Sequence, residues 1–403
     1  MIGSNRARLQ PTDEGSSVTQ LELFFDLVLV FAFTMVTDLA ADETTARNLL
    51  RALLCLALMW WLWIAYSWLG NIVRADEGIA RIAIFVAMGG AFIAALTIPE
   101  AFDDLEGGWF GPLVFAIAYL VVRLVHLVMM WLAAEGDPKL RAQILRWALG
   151  SITLGTTLLV VAALTDGRVQ LALWLGAIAG DWVWTRFAGT EWRLASAKHY
   201  SERYGLIIIV ALGESIVSIG IGVAGLPISW PITVASMLGL AISGLLWWAY
   251  FDVAALSVEH ALAHARGARR IKIAQMCYMY WHFPMIAGII GLSLGLKKVL
   301  YYVGDESTHT LSDALYGIPL GAMYGGVALY LVGLVGFKQY ATGNLSAARI
   351  VTVAVLLALT PVAAALPALA SLTMLFAVLA ALISWETIRH AGVRDQIRHA
   401  VPE

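Results

Sequence analysis

Two acidic side chains stand in a stretch that is otherwise apolar enough to lie in a lipid bilayer. The stretch Gln20–Thr34 reads QLELFFDLVLVFAFT, and its acids Glu22 and Asp26 share one face of a helix because they are four residues apart. Ionisable groups inside a membrane are costly and commonly mark the routes of protons, ions or substrates. The spacing therefore indicates a proton or cation pathway that passes Glu22 and reaches Asp26.

Other ionisable side chains lie in further apolar segments. Arg123 and His126 are three residues apart and share a helix face. His282 stands two residues before Pro284, whose missing N–H leaves a backbone carbonyl free for another donor. We expect the two histidines to relay protons. The candidates for the pathway are Asp26, Arg123, His126, Asp181, Glu214 and His282.

The charge balance of these deep groups favours a mobile cation. Asp26, Asp181 and Glu214 are acids, whereas Arg123 is the one deep group in this reading that is always cationic. At least one acid must then be protonated, bind a cation or face water. The alternative is a static buried network that locks the packing of the helices.

The composition requires that most of the chain be solvated by lipid. Of 403 residues, 60% are hydrophobic and 13% are charged, with a mean hydropathy of +0.79. Soluble domains carry about 25% charged residues. The net charge of −2 argues against a nucleic-acid partner. The sequence predicts an all-α polytopic membrane protein whose partners are the lipid bilayer and a proton or monovalent cation.

Twelve segments are long and apolar enough to span a bilayer as helices. Pro361, Pro367 and the short turn between the last two segments leave two alternatives there, a pair of spans or one broken hairpin. The predicted segments are 18–38, 48–69, 79–98, 111–134, 144–164, 168–187, 204–224, 231–253, 273–296, 313–336, 348–366 and 368–388.

The loops predict the orientation of the chain, because cytoplasmic loops are enriched in Lys and Arg. With the N-terminus in the cytoplasm, the cytoplasmic segments hold 20 of these residues and the opposite side holds five. We therefore expect both terminal segments, 1–17 and 389–403, to be cytoplasmic.

Matched positions predict an internal repeat. Asp26 pairs with Glu214, the dipeptide Trp60-Trp61 with Trp247-Trp248, and Arg81 with Arg270, at offsets of 187 to 189 residues. Six helices per repeat is an even number, so both copies run in the same direction. We expect two parallel repeats, at residues 18–190 and 191–388. Chance matching is the alternative.

Tryptophan and glycine patterns predict how the helices sit and pack. Trp60, Trp61, Trp63, Trp68 and Trp247 are among the residues expected to form an aromatic belt at the membrane interface. Small residues four apart predict close helix contacts on two ridges, at Gly317, Gly321 and Gly325 and at Gly176 and Gly180.

The sequence shows no nucleophile elbow, P-loop or Cys–His pair and no supported metal-ligand set. We therefore expect no cofactor and no metal, and the sequence favours a protein without enzymatic activity but leaves that question open.

Two stretches carry a resemblance to a known family. LELFFDLVLVFAFT (Leu21–Thr34) and HYSERYGLIIIVALGESI (His199–Ile216) resemble the signatures of the bacterial low temperature requirement protein A family. WWAYFD (Trp247–Asp252) and YMYWHFPMIAGIIGLSLG (Tyr278–Gly295) fit the same pattern in the same order. The resemblance implies a multi-pass protein of the bacterial inner membrane. The family takes its name from a cold-growth phenotype, so the resemblance implies no particular reaction.

The resemblance also selects residues. Several of them are expected to form one polar cluster at the cytoplasmic side, between the two repeats. The motif positions are Glu22, Asp26, His199, Glu202, Arg203, Glu214, Asp252 and His282, of which Glu22, His199, Glu202, Arg203 and Asp252 make up the expected cluster.

These patterns together predict a proton- or cation-coupled secondary transporter that uses buried carboxylates. A cation channel is one alternative, because Phe24, Asp26, Val28, Ala32 and Thr34 are similar to the first-helix signature of the lysosomal potassium channel family. An intramembrane lipid-modifying enzyme is a second alternative, and a non-transporting scaffold or sensor is a third.

Overall fold

The protein is an all-α chain. The computed structural model describes residues 9–187, 189 and 191–389, and the described part holds no β-strand beyond two isolated bridges. Of the predicted terminal segments 1–17 and 389–403, residues 1–8 and 390–403 lie outside the described residues. The helices are α1 (Gln20–Asp42), α2 (Ala46–Ile72), α3 (Gly78–Leu96), α4 (Gly111–Ala133), α5 (Pro138–Ala148), α6 (Gly155–Ala163), α7 (Gly167–Phe187), α8 (Ala197–Gly222), α9 (Trp230–Phe251), α10 (Ala254–His264), α11 (Gly267–Ile273), α12 (His282–Gly304), α13 (Gly317–Thr342), α14 (Ala347–Ala363) and α15 (Ala368–Arg389).

Ten helical runs among the described residues are long and apolar enough to cross a membrane. Three of them join shorter pieces: α5 with α6, α9 with α10, and α11 with α12. Two of these joins are π-helical, at Leu149–Leu154 and Ala274–Tyr280. Ten of the twelve predicted segments coincide with these runs. The other two coincide with α7 and α14. The prediction of an all-α polytopic membrane protein is confirmed.

The last two predicted segments form two separate helices. α14 continues through Pro361 and ends at Ala363, and α15 begins at Ala368 and contacts α14. The first of the pair has 17 residues, which is short for a full span of about 20.

The chain divides into two compact units. Unit 1 contains residues Met1–Leu39 and Arg47–Arg203, and unit 2 contains Ala40–Ala46 and Tyr204–Glu403. In unit 1, α4 contacts α3 and α6, and α6 contacts α7. In unit 2, α13 contacts α12 and α14, and α9 contacts α15. The predicted repeat boundary at residue 190 stays a prediction.

Most residues of α2 are buried, and this includes its tryptophans. Trp60 and Trp63 are 0% exposed, and Trp61 and Trp68 are buried as well. The prediction that these four side chains form an interfacial belt is therefore wrong. Trp247, in contrast, is 45% exposed, as a belt residue would be. The sequence pattern is the same in both helices. It does not separate the two cases, because tertiary packing decides which face of a Trp-rich helix meets lipid.

A close backbone contact between two helices of unit 2 involves glycines other than the predicted ridge. A Cβ at Gly326 would lie 2.5 Å from the carbonyl oxygen of Gly288, so α12 and α13 touch backbone to backbone there. A Cβ at Gly317, Gly321 or Gly325 would meet no atom within 4 Å. The prediction of a close contact at this ridge is thus wrong, because its glycines line a cavity between α13 and α14.

The start of α5 shows how a loop acid fixes a helix end. The carboxylate of Asp137 accepts a hydrogen bond from the backbone N–H of Leu140 at 3.0 Å and one from Arg193 Nη2 at 2.5 Å. These bonds hold the pKa of Asp137 below its usual value, the backbone bond contributing most. Pro138 follows at the first helical position, where a missing N–H is harmless.

Candidate functional site

Unit 1 contains a buried polar cluster, which we call the Asp26 cluster. It consists of Glu22 and Asp26 on α1, Trp63 on α2, and His199 and Arg203 on α8, and each of these residues is at most 4% exposed. The two members on α1 are four residues apart, as are the two on α8. Each pair therefore lies on one helix face, so that the two faces can meet.

Asp26 forms a two-pronged ion pair with Arg203. Arg203 Nη1 donates to Asp26 Oδ2 at 2.6 Å, and Nη2 donates to Oδ1 at 2.9 Å. The indole N–H of Trp63 donates to the same Oδ1 at 2.8 Å. The guanidinium also lies 5.3 Å from the centroid of the Trp63 ring. This bidentate geometry gives the carboxylate a permanent cationic partner.

Glu22 is held by donors on one oxygen and lacks a hydrogen-bond donor on the other. Its Oε2 accepts from the backbone N–H of Thr19 at 2.9 Å, from the hydroxyl of the same residue at 3.0 Å, and lies 3.1 Å from His199 Nε2. Its Oε1 has no hydrogen-bond partner and lies 3.7 Å from Arg203 Nε. The same oxygen packs against Gly70, where any Cβ would overlap it.

The neighbours of His199 select its tautomer. Asn71 is fixed by two loop contacts: its Nδ2 donates to the carbonyl of Ser196 at 2.6 Å, and its Oδ1 accepts from the N–H of Ala195 at 2.8 Å. The same Nδ2 lies 3.3 Å from His199 Nδ1, which must then be an acceptor. A neutral His199 therefore carries its proton on Nε2 and donates it toward Glu22.

The charge of the Asp26 cluster depends on one proton. Two carboxylates and one guanidinium leave a net charge of −1 when His199 is neutral, and one added proton makes the cluster neutral. A buried site disfavours an unbalanced charge, and Glu22 and His199 are the members of the cluster whose side chains can exchange a proton.

The sequence-based view that Arg123 is the only deep permanent cation is wrong. Arg203 is 1% exposed, because α8 begins at Ala197 rather than at residue 204 and this side chain lies inside the helix. The sequence predicts a later start for α8 because Lys198, Glu202 and Arg203 make its first turns polar. The partner of Asp26 is Arg203, and Arg123 lies elsewhere in unit 1.

Arg123 belongs to a second buried cluster with Asp181. Arg123 Nη2 lies 3.1 Å from Asp181 Oδ1, and the hydroxyl of Ser151 contacts both groups. Tyr119 donates to Asp181 Oδ2 at 3.3 Å. One acid and one base make this cluster neutral without a mobile ion. Ser151 lies in the π-helical turn that joins α5 to α6, an irregularity that often marks a functional position.

His126 lies beside this pair and is enclosed by rings. The ring centroid of Tyr66 is 5.6 Å away and that of Trp147 is 5.5 Å away. Neither ring nitrogen of His126 makes a hydrogen bond of normal geometry within the described residues, and the residue is 4% exposed.

In unit 2, His282 is a fully bonded neutral histidine. Its Nδ1 lies 3.0 Å from the carbonyl oxygen of Cys277 and must donate to it, so Nε2 accepts from the hydroxyl of Tyr250 at 2.9 Å. The carbonyl comes from the π-helical turn before α12. Glu214, also in unit 2, is 0% exposed, and its Oε1 accepts from Ser218 at 2.8 Å.

The other two expected cluster members, Glu202 and Asp252, make contacts of their own. Glu202 is half-buried and accepts a hydrogen bond from the backbone N–H of Val18 at 3.2 Å. Asp252 belongs to unit 2 and lines a pocket there with Arg349 and Glu386. Sequence reasoning missed Trp63, Asn71, Ser151 and Arg349. Asn71, Ser151 and Arg349 could have been found as polar residues within apolar helices. Trp63 was missed because the sequence predicts it as part of the aromatic belt.

The described residues hold no group of three or more His, Cys, Asp or Glu side chains arranged to bind a metal ion. The buried clusters instead combine carboxylates with guanidinium, imidazole and indole donors, which suit ion pairs and protons.

Fold and site together define a polytopic α-helical membrane protein with charged clusters buried in its helices. Residues 17–384 match the model of the family described as Bacterial low temperature requirement A protein, and the chain belongs to this family. The chain is also similar to an uncharacterized protein, RA0937, of Rhizobium meliloti (strain 1021). The two are 25% identical over 338 residues, which cover 79% of this chain and 76% of the relative.

Proposed function

We propose that this protein is a proton-coupled secondary transporter of the bacterial inner membrane, in which the Glu22–His199 pair binds the coupled proton. The observation that carries the proposal is the charge of the Asp26 cluster, which is −1 with a neutral imidazole although every member is at most 4% exposed. One proton makes the cluster neutral, and no permanent cation of the cluster is left to take its place.

The proton has a defined effect on the contact between two helices. Glu22 lies on α1, and both His199 and Arg203 lie in the first turns of α8. When Glu22 is ionised it attracts Arg203 Nε across 3.7 Å, and this attraction is lost when the carboxyl is neutral. A proton therefore changes the force that holds the start of α8 to α1, which is the kind of bias that alternating access needs.

The remaining pathway candidates divide into two roles in this proposal. Asp26 fixes the orientation of Arg203, and the Arg123–Asp181 pair braces its own helices, because both pairs are neutral. In this proposal, His126, His282 and Glu214 are further groups that bind and release the transported proton. Glu202 ties the segment before α1 to α8 through Val18.

An internal repeat would give such a carrier its two halves. Gly78 and Gly267 each begin a helix with φ of +54°, a conformation that favours glycine, and each follows an extended residue, Glu77 or Arg266. This offset of 189 residues equals that between Arg81 and Arg270. The match supports two parallel repeats, and the Lys and Arg bias supports cytoplasmic termini.

The proposal is tested by charge movement, which needs no knowledge of the substrate. Purified full-length protein is reconstituted in liposomes on a solid-supported membrane, and the external pH is stepped from about 7.5 to about 6.0, a range in which imidazoles titrate. We expect a transient current from proton binding in the wild type and none in Glu22→Gln. Asn71→Ala, which releases His199 Nδ1, should keep the transient but move its midpoint pH.

The controls separate the outcomes. Glu77→Gln removes an acid that pairs with Arg74 at 3.0 Å near the surface, and it should behave as the wild type. Gel-filtration profile and thermal unfolding establish that each variant is folded. An unchanged transient in folded Glu22→Gln, a response to sodium that is independent of pH, or a sustained voltage-driven current would each overturn the proposal, the last in favour of a channel.

A non-transporting scaffold is the second candidate, and the pairing of the acids favours it. Asp26 has Arg203 and Asp181 has Arg123 at hydrogen-bonding distance, so these four charges need no mobile partner. A scaffold predicts that the wild type gives no transient at any pH step. It also predicts that loss of either ion pair lowers stability without any transport phenotype.

A further inference from the structure

A short polar segment of unit 1 precedes α1 and crosses one end of the Asp26 cluster. We call residues 9–19 the strap. Residues 11–17 read PTDEGSS, and within the strap Thr12 is buried while the other residues are exposed or half-buried. A segment that buries so little apolar surface is held mainly by its hydrogen bonds. Such segments are the parts of a protein that detach at the lowest free-energy cost.

The strap is attached to the end of α2 by an isolated antiparallel bridge between Pro11 and Val73. Next to this bridge, the N–H of Thr12 donates to the carbonyl of Ile72 at 3.0 Å. Because the neighbours carry the hydrogen bonds, Pro11 and Val73 are a non-hydrogen-bonded pair. The missing N–H of the proline is therefore harmless at this position.

The strap also contacts the surroundings of Glu22. The hydroxyl of Thr12 donates to the carbonyl of Gly70 at 3.0 Å, and Gly70 is the residue that packs against Glu22 Oε1. At the other end of the strap, Thr19 donates to Glu22 Oε2 from its N–H and from its hydroxyl. Such bonds are stronger to an ionised carboxylate than to a neutral one. Protonation of Glu22 therefore weakens the attachment of the strap.

The strap is attached to the start of α8 as well. The hydroxyl of Ser196 donates to the carbonyl of Glu14 at 2.7 Å and accepts from the N–H of His199 at 3.1 Å. The N–H of Val18 donates to Glu202 Oε2 at 3.2 Å on the same helix. The strap thus bridges α2 and α8 on the side of the cluster that holds His199.

We propose that the strap is a gate over the Glu22–His199 pair, and that its release opens the path by which the proton enters and leaves. This gate adds regulation to the proposed transporter and therefore rests on the proposed function. The structure holds the closed state, in which Glu22 is 4% exposed and His199 is 1% exposed. Because protonation of Glu22 weakens its bonds to Thr19, release of the strap and binding of the proton favour each other.

A disulfide across the bridge tests the gate. The strap lock combines Pro11→Cys and Val73→Cys in the background of Cys55→Ala and Cys277→Ala. The Cα atoms of a non-hydrogen-bonded antiparallel pair lie about 4.5 Å apart, which is within the range that a disulfide can join. Oxidation closes the lock, reduction opens it, and thiol titration establishes which form is present.

A control lock applies the same chemistry elsewhere. Ala314 and Pro367 in unit 2 form the other isolated antiparallel bridge of the described residues. This pair also contains a proline next to a backbone bond, because the N–H of Ala368 donates to the carbonyl of Asp313 at 2.9 Å. The control lock is Ala314→Cys with Pro367→Cys in the same background. Its oxidation should leave both readouts described below unchanged.

The first readout is the accessibility of His199, which needs no transport assay. Diethylpyrocarbonate modifies imidazoles that reagent and water can reach, and peptide mass spectrometry gives the rate for each histidine. Exposed His260 is the internal reference within each sample. Oxidation of the strap lock should slow modification of His199 about tenfold or more, because a cross-link strongly disfavours the detached form.

Loss of one strap bond should have the opposite effect. Thr12→Val keeps the shape of the side chain and removes the bond to Gly70. We expect His199 to be modified roughly threefold to tenfold faster, as for the loss of one hydrogen bond from the closed form. Ser17→Ala, which removes an exposed hydroxyl of the strap, is the matched control and should react as the wild type.

The second readout is the pH-step transient of the same proteins. Oxidation of the strap lock should abolish the transient, and reduction should restore it. A wild-type rate of His199 modification or a wild-type transient in the oxidised strap lock would each overturn the gate and leave the proposed function standing. If the wild type gives no transient, the proposed function fails. The strap as a cover of His199 is then supported by slowed modification and overturned by unchanged modification.

Discussion

The buried ion pair between Asp26 and Arg203 decides how the other charges in its cluster behave. The bidentate contact with Arg203 occupies both oxygens of Asp26. The second acid, Glu22, therefore has His199 as its main side-chain partner. Two acids on one helix face therefore have different chemistry because of what lies opposite each of them. This distinction cannot be read from their spacing on α1.

The strength of this ion pair can be measured by a double-mutant cycle. Asp26→Asn and Arg203→Gln should each lower the free energy of unfolding by about 3–5 kcal/mol, because each leaves a buried charge without its partner. The double variant should lose much less than the sum. The exposed pair Arg74–Glu77, treated the same way, should show a coupling of at most about 1 kcal/mol. Denaturant unfolding in detergent provides the values, and additive losses at Asp26 and Arg203 would contradict the assigned contact.

Gly70 gives a second test at the scale of a single residue. A methyl group there would overlap Oε1 of Glu22 and push the carboxylate away from Thr19 and His199. In Gly70→Ala we expect the midpoint of the pH-step transient to rise by roughly one pH unit, as for the loss of a bond to a charged group. Gly89→Ala, on the exposed face of α3 with no atom within 4 Å, is the control. An unchanged midpoint would show that Glu22 does not bind the proton.

Irregular turns position several polar groups at the scale of elements. The π-helical turn before α6 carries Ser151, and the one before α12 carries the Cys277 carbonyl that binds His282. The proline-based expectation of a free carbonyl near His282 identified the right region. The carbonyl that is used lies five residues before the histidine, because the helix widens there to the π form.

The packing of α12 on α13 can be tested with glycines on opposite faces of one helix. Gly326→Ala places a methyl group against the backbone of Gly288, and we expect a loss of about 1–3 kcal/mol in the free energy of unfolding. Gly321→Ala, where the added methyl group would meet no atom within 4 Å, should change it by less than about 0.5 kcal/mol. Thermal or denaturant unfolding in the same detergent measures the change in the free energy of unfolding for both variants. A larger effect at Gly321 than at Gly326 would contradict the assigned contact between α12 and α13.

At the scale of the whole molecule, orientation across the membrane is the property that the Lys and Arg bias predicts. In a background of Cys55→Ala and Cys277→Ala, both buried thiols are removed. Glu306→Cys should then react with a membrane-impermeant maleimide in intact cells, whereas Glu135→Cys should react only after permeabilisation. Both positions are exposed in loops. The reverse pattern would invert the topology and place the Asp26 cluster near the outer face.

The sequence by itself determined the class of the protein and its helices. A chain with 60% hydrophobic residues must be solvated by lipid, and the period and length of its apolar runs located the membrane-spanning helices. Charges in an apolar stretch selected Glu22 and Asp26, and the family resemblance selected His199 and Arg203. These properties depend on residues close together in the chain, so no tertiary information was needed.

Only the tertiary structure decided which charges meet. Asp26 lies 177 residues from Arg203 and Arg123 lies 58 from Asp181, and no local pattern specifies such pairings. The same holds for the buried tryptophans of α2 and for the glycine face that α13 uses. The charge of a buried cluster is a sum over side chains from several helices, and that sum exists only once the helices are packed.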